Sequence, residues 1–149
     1  MRRVTKIIFA LGIAIAIVVV ALVTFAFSSS REDSGKHLAR VDWLPMEASD
    51  VTYVKRDGFG WFNCYECGLP KEAFDRLAQK KEWKPELKKD VSMGLRHVLG
   101  LPALKKTEYG DTDLVANALF YEKRRPNGGG ITVIFDLDTN RLFVHESHR

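Results

Sequence analysis

The chain lacks the sequence patterns that mark the common catalytic centres. No serine lies in a G-x-S-x-G pattern and no H-E-x-x-H pattern occurs, which excludes the nucleophile elbow of serine hydrolases and the zinc-binding helix of metalloproteases. Internal repeats are also absent. The sequence therefore predicts a protein that is not an enzyme, and it indicates no cofactor.

Acidic residues are missing from the first 31 positions, whereas Arg2, Arg3 and Lys6 lie there. The net charge of +4 falls to +1 when these three cations are left out. Elsewhere, paired cations are interspersed with acidic residues, which is typical of a solvated surface and predicts no nucleic-acid partner. The pairs are at 80–81, 88–89 and 124–125, with Glu82, Asp90 and Glu122 beside them.

An uninterrupted apolar run extends from Ile7 to Phe27. A helix of about 21 residues rises about 30 Å, which is the thickness of the hydrocarbon core of a bilayer. The run therefore predicts a transmembrane signal-anchor helix with the lipid bilayer as its partner. The alternative is a cleaved signal peptide, because the small residues at 26 and 28 have the spacing that a signal peptidase recognises.

The charges on either side of this run predict its orientation. Cations precede it, whereas Glu32 and Asp33 follow, so residues 1–6 are expected in the cytoplasm as a basic flank. This predicts a single-pass protein of the cell membrane whose C-terminal part is periplasmic or extracellular. Residues 28–40 are polar and predict a flexible tether. Residues 41–149 then suffice for one small extracytoplasmic domain.

Five segments of this domain have the composition of β-strands. Each is rich in β-branched and aromatic residues or alternates apolar with polar ones, and turn sequences follow several of them. The last three are separated by short polar turns and predict consecutive antiparallel hairpins. The segments are residues 50–55, 60–67, 115–123, 131–137 and 141–146.

A helix is predicted after Pro70, where Phe74, Leu77 and Ala78 recur at helical spacing. A second helix is predicted over residues 87–99, whose apolar side chains fall on one helical stripe. The expected order is ββα(α)βββ. The sequence therefore predicts an α+β fold, in which one or two helices cover one face of an antiparallel sheet of about five strands.

Cys64 and Cys67 have the C-x-x-C spacing of thiol oxidoreductases and lie just before the predicted helix. On an extended strand, residues three apart point to opposite faces, so a disulfide between them would require a bend. The sequence therefore predicts two free thiols. A redox-active pair and a structural disulfide are the alternatives.

Together with these cysteines, His145 and His148 complete a set of four ligands of the types that zinc prefers. The spacing differs from that of compact zinc fingers, and chain ends tend to fray. We therefore predict no metal site and keep zinc binding as an alternative.

Two polar segments resemble ligand-binding loops only superficially. Asp136, Asp138 and Asn140 open a D-x-D-x-N pattern, but Arg141 replaces the glycine that a calcium loop requires next. The glycines at 128–130 join two strands and open no helix that could bind a phosphate. Both segments are predicted to be hairpin turns.

Aromatic residues concentrate in the first half of the predicted domain. Alternation in the second strand places one set on each face, so one aromatic row is expected to lie outside the core. We therefore predict a non-enzymatic binding or assembly module whose partner is an unknown protein or glycan outside the cytoplasm. The alternative is a thiol-disulfide redox or metal-handling protein built on Cys64 and Cys67. The aromatic residues are Trp43, Tyr53, Phe59, Trp61, Phe62, Tyr65 and Trp83.

Overall fold

The computed structural model describes residues 12–24, 31–58, 60–94, 96–107, 110–126 and 128–148. These residues contain two helices, α1 at 12–24 and α2 at Lys71–Lys80. Their strands are, in chain order, β1 Arg31–Leu38, β2 Ser49–Asp57, β3 Trp61–Gly68, β4 Glu86–Ser92, β5 Lys105–Thr107, β6 Gly110–Thr112, β7 Leu114–Arg124, β8 Gly130–Asp136 and β9 Arg141–His148.

Seven strands form one antiparallel sheet in the order β1-β2-β3-β9-β8-β7-β4. The sheet consists of two three-stranded meanders, β1–β2–β3 and β7–β8–β9, which join along β3 and β9. β4 extends the second meander at its outer edge, and β5 pairs only with β6. Because every neighbouring pair is antiparallel, β3 and β4 run in the same direction. The connection between them, which contains α2, therefore crosses one face of the sheet.

The face covered by α2, here called the helix face, holds the larger core. The ring of Phe74 in α2 stacks on Phe135 in β8 with the centroids 4.4 Å apart, and both side chains are fully buried. Val133 and Leu142 extend this core along the two central strands. The other buried members are Leu44, Ala48, Val51, Tyr65, Cys67, Leu69, Ala73, Ala78, Trp83 and Val144.

The opposite face is covered by residues 93–94 and 96–104, which we call the crossing segment. It begins beside β7, where the Met93 amide donates to the Asp113 carbonyl at 2.9 Å. Met93 packs there with Ile134 and other core side chains. At the far edge of the sheet, Nζ of Lys36 in β1 donates to the Gly100 carbonyl at 3.2 Å. The sheet is thus enclosed by a helix on one side and by an irregular segment on the other.

The polar and glycine-rich segments of the sequence form the two hairpin turns of the second meander. The Asp136 carboxylate accepts hydrogen bonds from the amide of Asp138 at 2.9 Å and from Oγ1 of Thr139 at 2.7 Å. These bonds close a turn within the D-x-D-x-N sequence. In the other hairpin, a Cβ added to Gly129 would lie 2.5 Å from the Ser147 carbonyl oxygen. The glycine there permits close backbone approach.

The five predicted strands and the first predicted helix correspond to β2, β3, β7, β8, β9 and α2. The α+β class is wrong, because the described fold is mostly sheet. The second helix is also wrong, since Glu86–Ser92 pairs with β7 as a strand and Leu87 on it is 65% exposed. Asp90, at φ 53°, departs from helical geometry inside that segment. Residues 31–38, expected to be a tether, form the edge strand β1.

The transmembrane prediction is wrong. Among the described residues, α1 spans 13 positions, or about 20 Å, and no helix there is long and apolar enough to cross a bilayer. The remaining positions of the apolar run, 7–11 and 25–27, lie outside the described residues. The predicted signal anchor, single-pass membrane location and outward display of the domain therefore lose their basis.

The stacked pair at the centre of the helix face generates the first prediction. Replacing Phe74 by Ala removes a fully buried ring and leaves a cavity against Phe135, so we expect the free energy of unfolding to fall by about 3–5 kcal/mol. Denaturant titration measures this loss. Leu87→Ala is the control, because an exposed side chain should change stability by no more than about 0.5 kcal/mol. Equal effects of the two substitutions would contradict the described core.

Candidate functional site

The two cysteines are free, buried thiols on β3. Cys64 lies opposite His145 of β9 and Cys67 lies opposite Leu142, in a register without interruption. Side chains three positions apart on this strand therefore point to opposite faces. Burial raises the pKa of each thiol to about 12. Both are protonated at neutral pH, whereas a redox-active cysteine requires an accessible thiolate.

The two histidines of the candidate zinc set lie at the same end of β9 but do not join the cysteines as a group. Burial lowers the pKa of His145, which favours its neutral form, and its ring lies 6.4 Å from that of Phe62. His148 stacks on Trp61 with the centroids 6.1 Å apart. In the part of the chain that the structure describes, no three His, Cys, Asp or Glu side chains are placed to hold a metal ion. The structure thus brings together Cys64 and His145 and separates Cys67 from them.

A cavity of about 300 Å³, here called the aromatic groove, lies on the helix face. Its walls come from β3, β7, β8 and β9, from the end of α2, and from the loop that carries Trp43 and Leu44. Four aromatic side chains line it: Trp43, Tyr65, Trp83 and Tyr121.

Strand register explains why these side chains converge. Tyr65 lies opposite Val144, and Val144 lies opposite Val133, which in turn faces Tyr121 across the next ladder. Residues in such a cross-strand row share one face of the sheet. Asn63, two positions from Tyr65, belongs to the neighbouring row and lies opposite Glu146.

The two tryptophans reach the groove from outside the sheet. After α2, Glu82 adopts a positive φ of 56°, and the Trp83 amide then donates to the Ala78 carbonyl at 2.9 Å. This reversal leaves Trp83 only 9% exposed. Trp43 meets Tyr65 edge-on at 5.0 Å, and Nζ of Lys55 lies 3.9 Å from the centre of its ring. These contacts stabilise Trp43 at the mouth of the groove.

One residue that lines the groove carries a polar atom without a partner. The side-chain oxygen of Asn63 is buried and accepts no hydrogen bond from any described residue. A buried acceptor left unpaired costs about 1–3 kcal/mol. The position is therefore unfavourable for stability alone, and a hydrogen-bond donor on a bound molecule would relieve it.

A second polar arrangement lies on the opposite face around Glu66, which is 1% exposed. Oε1 of Glu66 accepts from Nη1 of Arg96 at 3.0 Å and from Nε of Arg141 at 2.7 Å. Arg141 also donates to Asp50 at 2.9 Å, and Asp50 hydrogen-bonds His37 at 2.8 Å. Burial raises the pKa of Glu66 against the opposing effect of the arginines. Because Arg96 belongs to the crossing segment, this Glu66 cluster fastens that segment to the sheet.

Comparisons with protein-family models, curated proteins and solved structures find no match to this chain. Its function must therefore be argued from the site itself. Sequence reasoning had singled out Trp43, Tyr65 and Trp83 as aromatic residues but had given no role to Tyr121, Lys123 or Asn63 of the groove. Side chains alternate between the two faces along β7, so Tyr121 and Lys123 share one face of the sheet. The sequence therefore does contain a signal that places these two residues together.

The buried thiols generate the second prediction. At pH 8, iodoacetamide should not modify Cys64 or Cys67 in the folded protein, because burial holds both pKa values near 12 and keeps the reactive thiolate scarce. After denaturation, mass spectrometry should show two added groups. Rapid labelling of the native protein, or a disulfide linking the two residues, would contradict this arrangement.

The pH dependence of stability provides the third prediction. The hydrogen bond with His37 is the main reason that the pKa of Asp50 is lowered, and Arg141 acts in the same direction while burial opposes both. A carboxylate with a lowered pKa stabilises the fold above its unfolded pKa of about 3.9, and this contribution disappears as the pH falls through the folded value. The difference in unfolding free energy between the parent and Asp50→Asn should therefore shrink from pH 5 to pH 2.5.

Asn tolerates the positive φ of 48° at position 50, so the substitution isolates the charge. A parent-to-variant difference that stays constant with pH would show that Asp50 titrates as an ordinary surface carboxylate.

Proposed function

We propose that this protein is a binding module for a small, ring-bearing molecule, and that the aromatic groove is its binding site. The unpartnered side-chain oxygen of Asn63, a residue that lines the aromatic cavity, carries this proposal. Flat aromatic walls supply stacking surface for a ring, and a single buried acceptor supplies orientation. The two features are complementary because one contributes affinity and the other contributes specificity.

The dimensions of the groove favour a ligand of about one or two rings. Small-molecule sites commonly enclose about 300–1,000 Å³. At about 300 Å³ the groove lies at the lower end of that range. Most of its walls belong to strands and to α2, so the site is formed before the ligand arrives and ordering costs on binding are small.

The chemistry of the lining favours binding without turnover. Besides the hydroxyl and indole N–H groups of the four aromatic side chains, the polar side chains that line the groove are one amide, two ammonium groups and a guanidinium paired with a carboxylate, Arg125 with Glu146 at 2.9 Å. Within the described residues, neither cysteine nor any histidine lines this cavity. An amide and an ion pair hold a ligand in place, whereas covalent catalysis requires an activated nucleophile.

The fourth prediction tests the groove through stability and binding together. Asn63→Leu should raise the free energy of unfolding by about 1–3 kcal/mol, because it removes a buried unpaired acceptor and keeps the branched shape of the side chain. The same substitution should weaken binding of a neutral ring probe, indole-3-acetamide, by at least about tenfold through the lost hydrogen bond. With about 13 non-hydrogen atoms, the probe should bind the parent with a Kd of about 1 mM or tighter.

Asn117→Leu is the matched control. The Asn117 amide donates to both oxygens of Asp138, at 3.1 and 3.0 Å, outside the groove. This control should lose stability and keep its affinity for the probe. Denaturant titration reports stability, and the NMR shifts of the indole N–H groups of Trp43 and Trp83 report binding, with Trp61 outside the groove as an internal reference. Destabilisation by Asn63→Leu, or unchanged affinity, would argue against the groove as a binding site.

A further inference from the structure

We infer that the molecule bound in the aromatic groove is an anion, a ring-bearing carboxylate or phosphate whose negative group lies between Lys81 and Lys123. The inference rests on the proposed function and assigns the chemical class of its ligand.

The charge of the groove departs from that of the chain around it. Beyond the first six residues the sequence is nearly balanced, with a net charge of +1. The groove, by contrast, is lined by three cations, Lys81, Lys123 and Arg125, and by one carboxylate, Glu146. This local excess of positive charge is therefore a property of the site.

The ion pair within the groove identifies which cations remain available. Nη2 of Arg125 lies 2.9 Å from Oε1 of Glu146, so these two charges largely neutralise each other. Lys81 and Lys123 are exposed, and no acidic partner for either occurs among the described side chains. Because both ammonium groups line the same cavity, an anion bound there interacts favourably with each of them.

Lys81 also borders a second concave site. An adjoining cavity of about 350 Å³ shares Lys81 with the groove and adds Arg76, Lys80 and the carboxylate of Asp42. Arg76 is paired with Glu47 at 2.5 Å. The charges that this cavity adds therefore largely balance, and the excess of positive charge belongs to the groove.

The aromatic walls restrict what the anion is attached to. Trp43 is 40% exposed and Tyr121 is partly exposed, so a bare inorganic ion would leave this apolar surface uncovered. A ring covers that surface, the Asn63 oxygen accepts from a donor on the ring, and the charged group projects toward the lysines at the rim. Each part of the site then has a counterpart on one molecule.

Two pairs of probes test this inference, and the members of each pair differ mainly in charge. They are indole-3-acetate with indole-3-acetamide, for a flat aromatic ring, and glucose 6-phosphate with glucose, for a sugar ring. In at least one pair the anion should bind about tenfold more tightly at low salt, and this preference should decline as salt is raised. The double variant Lys81→Gln/Lys123→Gln should abolish the preference for the anion.

Lys88→Gln/Lys89→Gln is the matched control, because it makes the same charge change on strand β4, outside the groove. It should retain the preference for the anion. If neutral and anionic probes bind equally, the charge inference is wrong and the proposed binding function stands. If the preference survives loss of Lys81 and Lys123, the inference is also wrong. If none of the four probes binds, the groove is not the binding site and the proposed function fails with it.

Discussion

The pairing of β3 with β9 is the interaction on which the rest of the structure depends. It joins two meanders that are each local in sequence, and its eight residue pairs run without a bulge from Trp61 with His148 to Gly68 with Arg141. An unbroken register fixes which side chains share a face. A slip of β3 by one position would move Tyr65 away from the helix face and would bring Glu66 to it. The candidate site therefore exists only in this register.

The two faces contain unsatisfied buried oxygens with different consequences. Oε2 of Glu66, like the side-chain oxygen of Asn63, accepts no hydrogen bond from the described residues. Glu66 nevertheless has two arginines on its other oxygen and lines none of the described cavities, so its interactions are internal and hold the crossing segment. Asn63 lines an open cavity. An energetic cost of a buried, unpaired oxygen that no internal contact offsets is typical of a functional position. By this criterion Asn63 is a binding residue and Glu66 is a structural one.

The sequence predicts the elements whose pattern is local and misses those whose structure depends on a partner. Strands such as β8 carry their own run of apolar residues, and the helix after Pro70 has its own apolar stripe. β1 has no such pattern. It becomes a strand because β2 supplies cross-strand partners, as in the ion pair of Glu32 with Arg56 at 2.6 Å. In the same way, the groove combines positions more than 100 residues apart, from Trp43 to Glu146, and no spacing within the chain reveals that convergence.

Trp43 is held in the groove differently from the other aromatic side chains, because it comes from a loop. Tyr65 is held by ladders on both sides and Tyr121 by the ladder with β8, whereas Trp43 comes from a connection and is 40% exposed. Its position depends on edge contacts with two tyrosines and on Lys55 above its ring. Such contacts contribute about 0.5–1.5 kcal/mol each, less than a strand ladder provides in total. Opening of the groove is therefore expected at Trp43, while the strand-borne walls retain the geometry that orients the ligand.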